Sequence, residues 1–296
     1  MILNYEDHKN LKDIEKMLKK PIDGGKDHER PILDKLKSFR YKTIPRQTLN
    51  EITDHFTKSD EDFMNHPRFG FNQDYHYNNN LYVINKHEKN VGGHGNSSFM
   101  DFFSRKLKTE VSDRIKKEAE QCEMIIPNEC YIESIGEFDK EKQGKPDNQI
   151  LRLKKESGAY ATEDLKKLDI DVRGYNYINM KLLVTFYHRI HCAVKGKIVQ
   201  LIPIEGNDDF FGKNSLWIVQ YDIPGKSPIY HMLVGESTIQ DFDFLKEKMD
   251  DVDIFDTLGM FNWGSQTVLL YNSKDFGELA VKEKTKYFVG DCIFKK

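Results

Sequence analysis

The chain has no long hydrophobic run. Nowhere in its 296 residues does an apolar stretch approach the ~20 residues that a bilayer-spanning helix needs. It also lacks an excess of either charge. The 45 Lys and Arg nearly balance 48 Asp and Glu, and a net charge of −3 gives no electrostatic footprint for nucleic acid. Cysteine is scarce: Cys122, Cys130, Cys192 and Cys292 are the four, with no CxxC spacing among them. The expectation is reduced thiols in a cytosolic-type compartment. The start, Met1 to Asp7, has neither the basic nor the apolar region of a secretion signal, which points the same way, to the cytoplasm. There is no internal repeat and no low-complexity linker. What is present is a polar chain, 31% charged with mean hydropathy −0.67, long enough for one large domain or two modest ones.

Residues 1 to about 70 read as helical and charged. Leu11, Ile14, Met17 and Leu18 recur at helical spacing, and Pro21 with Gly24 and Gly25 ends the pattern. A second helix is expected from Pro31, with Ile32, Leu33, Leu36 and Phe39 on one face. A third carries Leu49, Ile52 and Phe56. Acidic residues interrupt every basic face, so these faces read as packing surfaces rather than membrane anchors. Residues 71–98, rich in Asn, His, Tyr and Gly, read as a loop. From about residue 123 the texture turns to short strands: 124–126, 131–135, 182–187, 197–204, 216–221, 230–234 and 267–271, bounded by Pro, Gly, Asn or Asp. One helical patch, 161–168, intervenes, and the acidic stretch 247–256 reads as a solvated loop. The fold class is therefore α+β, a helical N-terminal third (1–98) on a β-rich body (99–296).

Three places carry candidate chemistry. Gly264-Ser265 lies between Phe261-Asn262-Trp263 and the strand 267–271. A serine after glycine at a strand mouth can sit on a tight turn, because glycine tolerates backbone angles that other residues avoid. It can then attack a substrate or the carbonyl of its own preceding residue. The bland alternative is a turn that opens a C-terminal strand. The second place is Tyr187-His188-Arg189-Ile190-His191. Histidine titrates near neutrality and can deprotonate a hydroxyl such as that of Ser265. With Cys192 adjacent a metal site is a further reading, but no further His/Cys/Asp cluster supplies its remaining ligands at familiar spacing. The third is Glu129 in Pro127-Asn128-Glu129-Cys130, a carboxylate able to orient an imidazole, though taken alone it reads as a solvent-facing acid.

These pieces, in this order, resemble the phosphatidylserine decarboxylase family. Phe99-Met100-Asp101-Phe102-Phe103-Ser104-Arg105-Lys106-Leu107-Lys108 is similar to its F-x-x-F-F-x-R-x-L-K segment. Pro127-Asn128-Glu129 falls at its P-x-D-G, and Tyr187 to His191 at its Y-H-R-[FVI]-H. Leu233-Val234-Gly235-Glu236 falls at its L-V-G-A, and Phe261 to Ser265 at its glycine-serine cleavage site. The resemblance spans about residues 99–294. It implies a pyruvoyl-dependent decarboxylase that makes its own cofactor. A base formed from His191 and Glu129 would deprotonate Ser265, whose oxygen would attack the Gly264 carbonyl. The chain would then part into a β fragment ending at Gly264 and an α fragment whose first residue becomes the pyruvoyl group. That group serves as electron sink for decarboxylation, the job done elsewhere by a bound coenzyme. His188 would assist decarboxylation or reprotonation.

Three departures stand out. Glu129 is one methylene longer than the family's aspartate, Cys130 replaces its glycine, and Gln266 replaces the Thr or Ser after the nucleophile. The family's S-V-N-P-type loop is missing between Gly206 and Asn214. The implied substrate is phosphatidylserine, which calls for peripheral contact with a membrane. A soluble amino-acid decarboxylase of the same superfamily and a non-catalytic relative acting as a binding or regulatory module stay open as alternatives.

Overall fold

The structure, a computed structural model, describes residues 5–18, 106–137, 165–182, 186–205, 215–235, 242–261 and 266–296. It also describes residues 35, 36, 39, 48 and 51 and short pieces at 43–44, 82–83, 97–98, 152–153 and 159–160. The chain forms two compact units, 1–111 and 112–296. Strands and helices are numbered below in chain order.

In the first unit, helix α1 (Tyr5–Leu18) opens with Glu6 and Asp7 and has Lys16 in its last turn, charges that complement the helix dipole. Leu11 and Ile14 are buried, as their spacing predicts. Of the expected second helix, Lys35 and Leu36 are helical, and Leu36 and Phe39 are buried. Lys35 Nζ reaches back to α1, donating to Asn10 Oδ1 at 3.0 Å and Asp13 Oδ2 at 2.9 Å. Of the third expected helix, 49–56, Glu51 is described and is helical; its other residues and most of the segment 71–105 lie outside the described residues. Two short antiparallel pairs complete the unit. β1 (Thr43–Ile44) pairs with β3 (Ser97–Ser98), and β2 (Tyr82–Val83) with β4 (Lys106–Leu107).

The second unit is built on an eight-stranded antiparallel sheet. In spatial order its strands are β15 (Asp251–Val252), β11 (Gly196–Ile204), β12 (Leu216–Asp222), β13 (Ile229–Val234), β17 (Gln266–Asn272), β9 (Tyr175–Lys181), β6 (Cys130–Glu137) and β18 (Thr285–Tyr287). Side chains alternate across a strand, so Leu216, Ile218, Tyr230, Met232, Val234, Val268 and Leu270 share one face. Ile204 of β11, paired with Leu216, belongs to the same face, and Leu165, Ile170 and Val172 pack against it. The other face carries Val219, Tyr221, His231, Leu233, Thr267, Leu269 and Tyr271, all buried as well. Covered on both sides, β13 reads as an unbroken buried run. A three-stranded sheet lies in the order β10 (Arg189–His191), β16 (Thr257–Phe261), β14 (Phe242–Phe244). β5 (Cys122–Ile125) pairs with β19 (Cys292–Lys295), and β7 (Arg152–Leu153) with β8 (Ala159–Tyr160).

Several sequence expectations change here. Of the strand expected over 182–187, the described residues Leu182, Phe186 and Tyr187 lie in no strand, and 183–185 lie outside the described residues; the ladder runs instead over Tyr175–Lys181. Within β9, a strand without a counterpart among the expected ones, Asn179 is buried and hydrogen-bonded within the sheet. The acidic stretch 247–256 is not a solvated loop. It supplies β15 and buries Val252, Ile254 and Phe255, while Asp256 is paired with Lys116 at 2.9 Å and Lys246 at 3.0 Å. Helix α2 (Thr109–Ala119), which the sequence reading passed over, buries Ile115 and Ala119 four residues apart. The four cysteines are not all reduced. Cys122 and Cys292 form a disulfide between β5 and β19, and Cys130 and Cys192 are buried free thiols. With one pair bridged, the cysteines no longer point to a reducing, cytosolic-type compartment. Among the described residues no helix is long and apolar enough to cross a membrane.

Candidate active site

The turn that links β5 to β6 is the floor of the site. Pro127 C=O accepts from the His191 amide at 2.8 Å, and Ile125 N–H donates to Ala193 C=O at 2.9 Å, so β10 is laid along the turn. Asn128, fully buried, donates through Nδ2 to the Glu129 carbonyl at 3.1 Å. Its Oδ1 accepts from Thr267 Oγ1 at 2.9 Å. That last bond fastens the turn to β17 two residues beyond Ser265.

Glu129 is not a solvent-facing acid; it is 1% exposed. A buried carboxylate has to find compensating partners, and Glu129 has two kinds. Oε2 accepts from the Tyr187 amide at 2.9 Å, and Oε1 lies 3.6 Å from Lys286 Nζ, itself almost wholly buried. The Lys286 ammonium also stands over the Phe186 ring, 4.0 Å from its centroid, where the negative ring face favours a cation.

His191 is buried between two fixed partners. Its Nδ1 lies 2.8 Å from the Phe255 carbonyl, so it carries the proton and donates. Nε2 is then the basic nitrogen, and it accepts from the Tyr187 hydroxyl at 3.1 Å. The Phe255 ring covers the imidazole at 4.1 Å between centroids, nearly parallel. Burial pulls the imidazole down to about 4, against a partial restoring effect of the Phe255 carbonyl, so the ring is neutral at physiological pH. Phe255 holds a left-handed backbone, φ 71°, which is strained for an aromatic residue. Its amide donates to Cys192 C=O at 2.9 Å. The strain turns the carbonyl toward His191.

His188 is fully buried, with Nδ1 2.8 Å from the Phe186 carbonyl. Its own carbonyl accepts from the Phe261 amide at 3.1 Å. Phe261 ends β16, and Gln266 begins β17. Gln266 is buried and donates from Nε2 to Asn179 Oδ1 at 2.7 Å, so this departure from the family pattern is built into the sheet. Gly264 and Ser265 lie outside the described residues. Both ends of the segment that contains them are held, one by His188 and the other by Asn179 and Asn128.

Of the residues expected to act together, His188, His191 and Glu129 come to one place. The expected direct contact of Glu129 with His191 takes another form: both nitrogens of His191 are engaged by Phe255 and Tyr187, and the carboxylate meets the Tyr187 amide instead. Tyr187 is thus the link between them. Tyr187, Phe255 and Lys286 were not singled out by the sequence. Tyr187 had a signal, standing first in the Tyr-His-Arg-Ile-His motif. Phe255 sat in an acidic stretch and Lys286 among charged neighbours, so neither had one.

A sequence profile of the phosphatidylserine decarboxylase family matches residues 99–295, and the chain belongs to that family. It is a family of carboxy-lyases of phospholipid biosynthesis that use a pyruvoyl group. Among curated proteins none matches the sequence.

Proposed function

We propose that the protein is a self-processing decarboxylase that converts phosphatidylserine to phosphatidylethanolamine, with the bond between Gly264 and Ser265 as its cleavage site. The observation that carries the reading is His191. It is a neutral, buried imidazole whose tautomer is fixed by the Phe255 carbonyl so that Nε2 is the base, beside the anchored ends of the segment containing Ser265. A base so held suits removal of the Ser265 hydroxyl proton. The freed oxygen attacks the Gly264 carbonyl carbon, and an ester replaces the peptide bond. Elimination takes the Ser265 α-proton and expels the Gly264 carboxylate, which parts the chain; the dehydroalanine left at position 265 then takes up water and loses ammonia to become the pyruvoyl group.

The pyruvoyl group that remains on the α fragment supplies an electron-withdrawing ketone, which takes up the electron pair released as carbon dioxide leaves. The residues around the precursor fit such a group. The strand ends that hold it are secured by bonds that do not involve Ser265, so its conversion leaves them intact. His188, secured through Nδ1, is assigned the proton returned to the product carbon. The substrate is drawn from a membrane surface. A free amino acid is the competing substrate, and one observation favours a non-catalytic relative: the Glu129 carboxylate faces Lys286 and a backbone amide rather than the imidazole.

Intact mass and a reducing gel of the purified chain test the reading. The expected result is a fragment 265–296 blocked to N-terminal sequencing, absent from Ser265→Ala. A single uncut wild-type chain overturns it. Carbon dioxide release from phosphatidylserine vesicles, compared with free amino acids, then assigns the substrate.

A further inference from the structure

His191 serves as a base at Nε2 only while its proton sits on Nδ1, so the group that fixes this tautomer matters. The Tyr187 hydroxyl, 3.1 Å from Nε2, does not fix it, because a phenol hydroxyl donates and accepts alike. The Phe255 carbonyl, 2.8 Å from Nδ1, only accepts. Of the two partners it is the one that selects the tautomer.

That carbonyl is held from two directions. Phe255 has φ 71°, a left-handed backbone that a bulky residue keeps only where its surroundings impose it. Its amide donates to the Cys192 carbonyl at 2.9 Å, and the Cys192 amide donates to the Asp256 carbonyl at 2.7 Å, which fastens both residues to the end of β10. On the far side the Asp256 carboxylate is fixed by three donors. Lys116 Nζ of α2 meets Oδ1 at 2.9 Å, while Lys246 Nζ at 3.0 Å and the Asp253 amide at 3.2 Å meet Oδ2. Burial raises the Asp256 carboxyl, but the two lysines outweigh it and keep the group charged at physiological pH. Burial likewise lowers His191, and the Phe255 carbonyl and the Asp256 charge both oppose that.

We propose that Asp256 is a positioning residue for His191, taking through the Phe255 carbonyl the orienting part expected of Glu129. This role rests on the reading of His191 as the base of self-cleavage. It fits a Glu129 carboxylate that meets Lys286 and the Tyr187 amide instead of the imidazole. Without the Asp256 charge, Phe255 is free to relax out of the left-handed region and its carbonyl turns from Nδ1. The proton then settles in part on Nε2, where the Tyr187 oxygen accepts it, and the base is lost.

The test is Asp256→Asn in the full chain, which keeps the shape of the side chain and removes its charge. Histidine carrying heavy nitrogen reports the tautomer by magnetic resonance, because protonated and unprotonated ring nitrogens resonate far apart. The His191 signals are assigned by their loss in His191→Gln. In the uncut Ser265→Ala chain the spectrum is expected to show the proton on Nδ1, and addition of Asp256→Asn to give a mixture of both tautomers. In the chain that keeps Ser265, Asp256→Asn is expected to slow cleavage about 100-fold, the cost of displacing a reacting group by about an ångström. A pure Nδ1 tautomer in Asp256→Asn, or a wild-type chain that cuts no faster than the variant, overturns the positioning role in catalysis. A wild-type chain that never cuts, with the tautomer still mixed by Asp256→Asn, overturns self-cleavage and supports the hold of Asp256 on the imidazole. Should Asp256→Asn fail to fold, Lys116→Met with Lys246→Met frees the carboxylate, and Lys116→Arg with Lys246→Arg keeps it paired. The Met pair is expected to mix the tautomers and the Arg pair to keep the Nδ1 form. Identical spectra from the two overturn the role.

Discussion

Replacing Cys122 and Cys292 by serine removes the one disulfide among the described residues, and its effects can be worked out in advance. The bridge joins β5 to β19 with 170 residues between its ends. In the uncut chain, secured by Ser265→Ala, closing a loop of that length removes conformational entropy from the unfolded state worth about 5 kcal/mol at 25 °C, the top of the usual range. For a domain of this size, each kcal/mol moves the thermal midpoint by roughly 2–4 °C. In that Ser265→Ala background the double serine variant, or the bridged chain under reductant, is therefore expected to melt roughly 10–20 °C lower by calorimetry. Alkylation of denatured, unreduced protein should add label at Cys130 and Cys192 only; after reduction all four cysteines of the chain should react. The bridge also spans the proposed cut, since Cys122 precedes Gly264 and Cys292 follows Ser265. Cleaved protein should run as one species without reductant and as two with it. Four labels without reductant, or a midpoint indifferent to the loss of both thiols, would refute the reasoning.

Acid should destabilise the fold through two buried histidines. Burial holds His191 at about 4 and His231 at about 3, below the ordinary 6.5, so the unfolded chain binds more protons across that window. Stability is then full above 6.5 and falls with pH below it, by about 2 kcal/mol for each histidine on going down to about pH 5. Urea midpoints across that range check this, and a flat profile counts against neutral buried imidazoles. Lys286→Met leaves the Glu129 carboxylate buried without its cation, which should cost about 3–5 kcal/mol in chemical denaturation. A loss under 1 kcal/mol would show the pair to be solvated. Among the described residues of the second unit, Leu245 and Met249 are the exposed large hydrophobics, both 55% exposed, beside Lys246 and Lys248. Changing both to Gln is expected to weaken co-sedimentation with phosphatidylserine vesicles; unchanged binding would move membrane contact elsewhere.

The sequence by itself determined the family and the order of its motifs, along with the central strands. The short, largely apolar runs over 216–221, 230–234 and 267–271, bounded by turn residues, are local signals written residue by residue, and the sheet follows them. His188 and His191 were legible for the same reason, standing in one short motif. The tertiary structure alone decided how those histidines are used. Glu129 was read as exposed, because nothing within a few residues of it announces Lys286 or the Tyr187 amide. Phe255 sits among Asp250, Asp251, Asp253 and Asp256, and charge there masked a buried ring and a strained carbonyl. The disulfide joins residues 170 apart, so spacing could not reveal it. A base needs a tautomer, a partner and exclusion of water. Each of these depends on which distant backbone the packed sheet brings against the imidazole, and local periodicity carries no record of that.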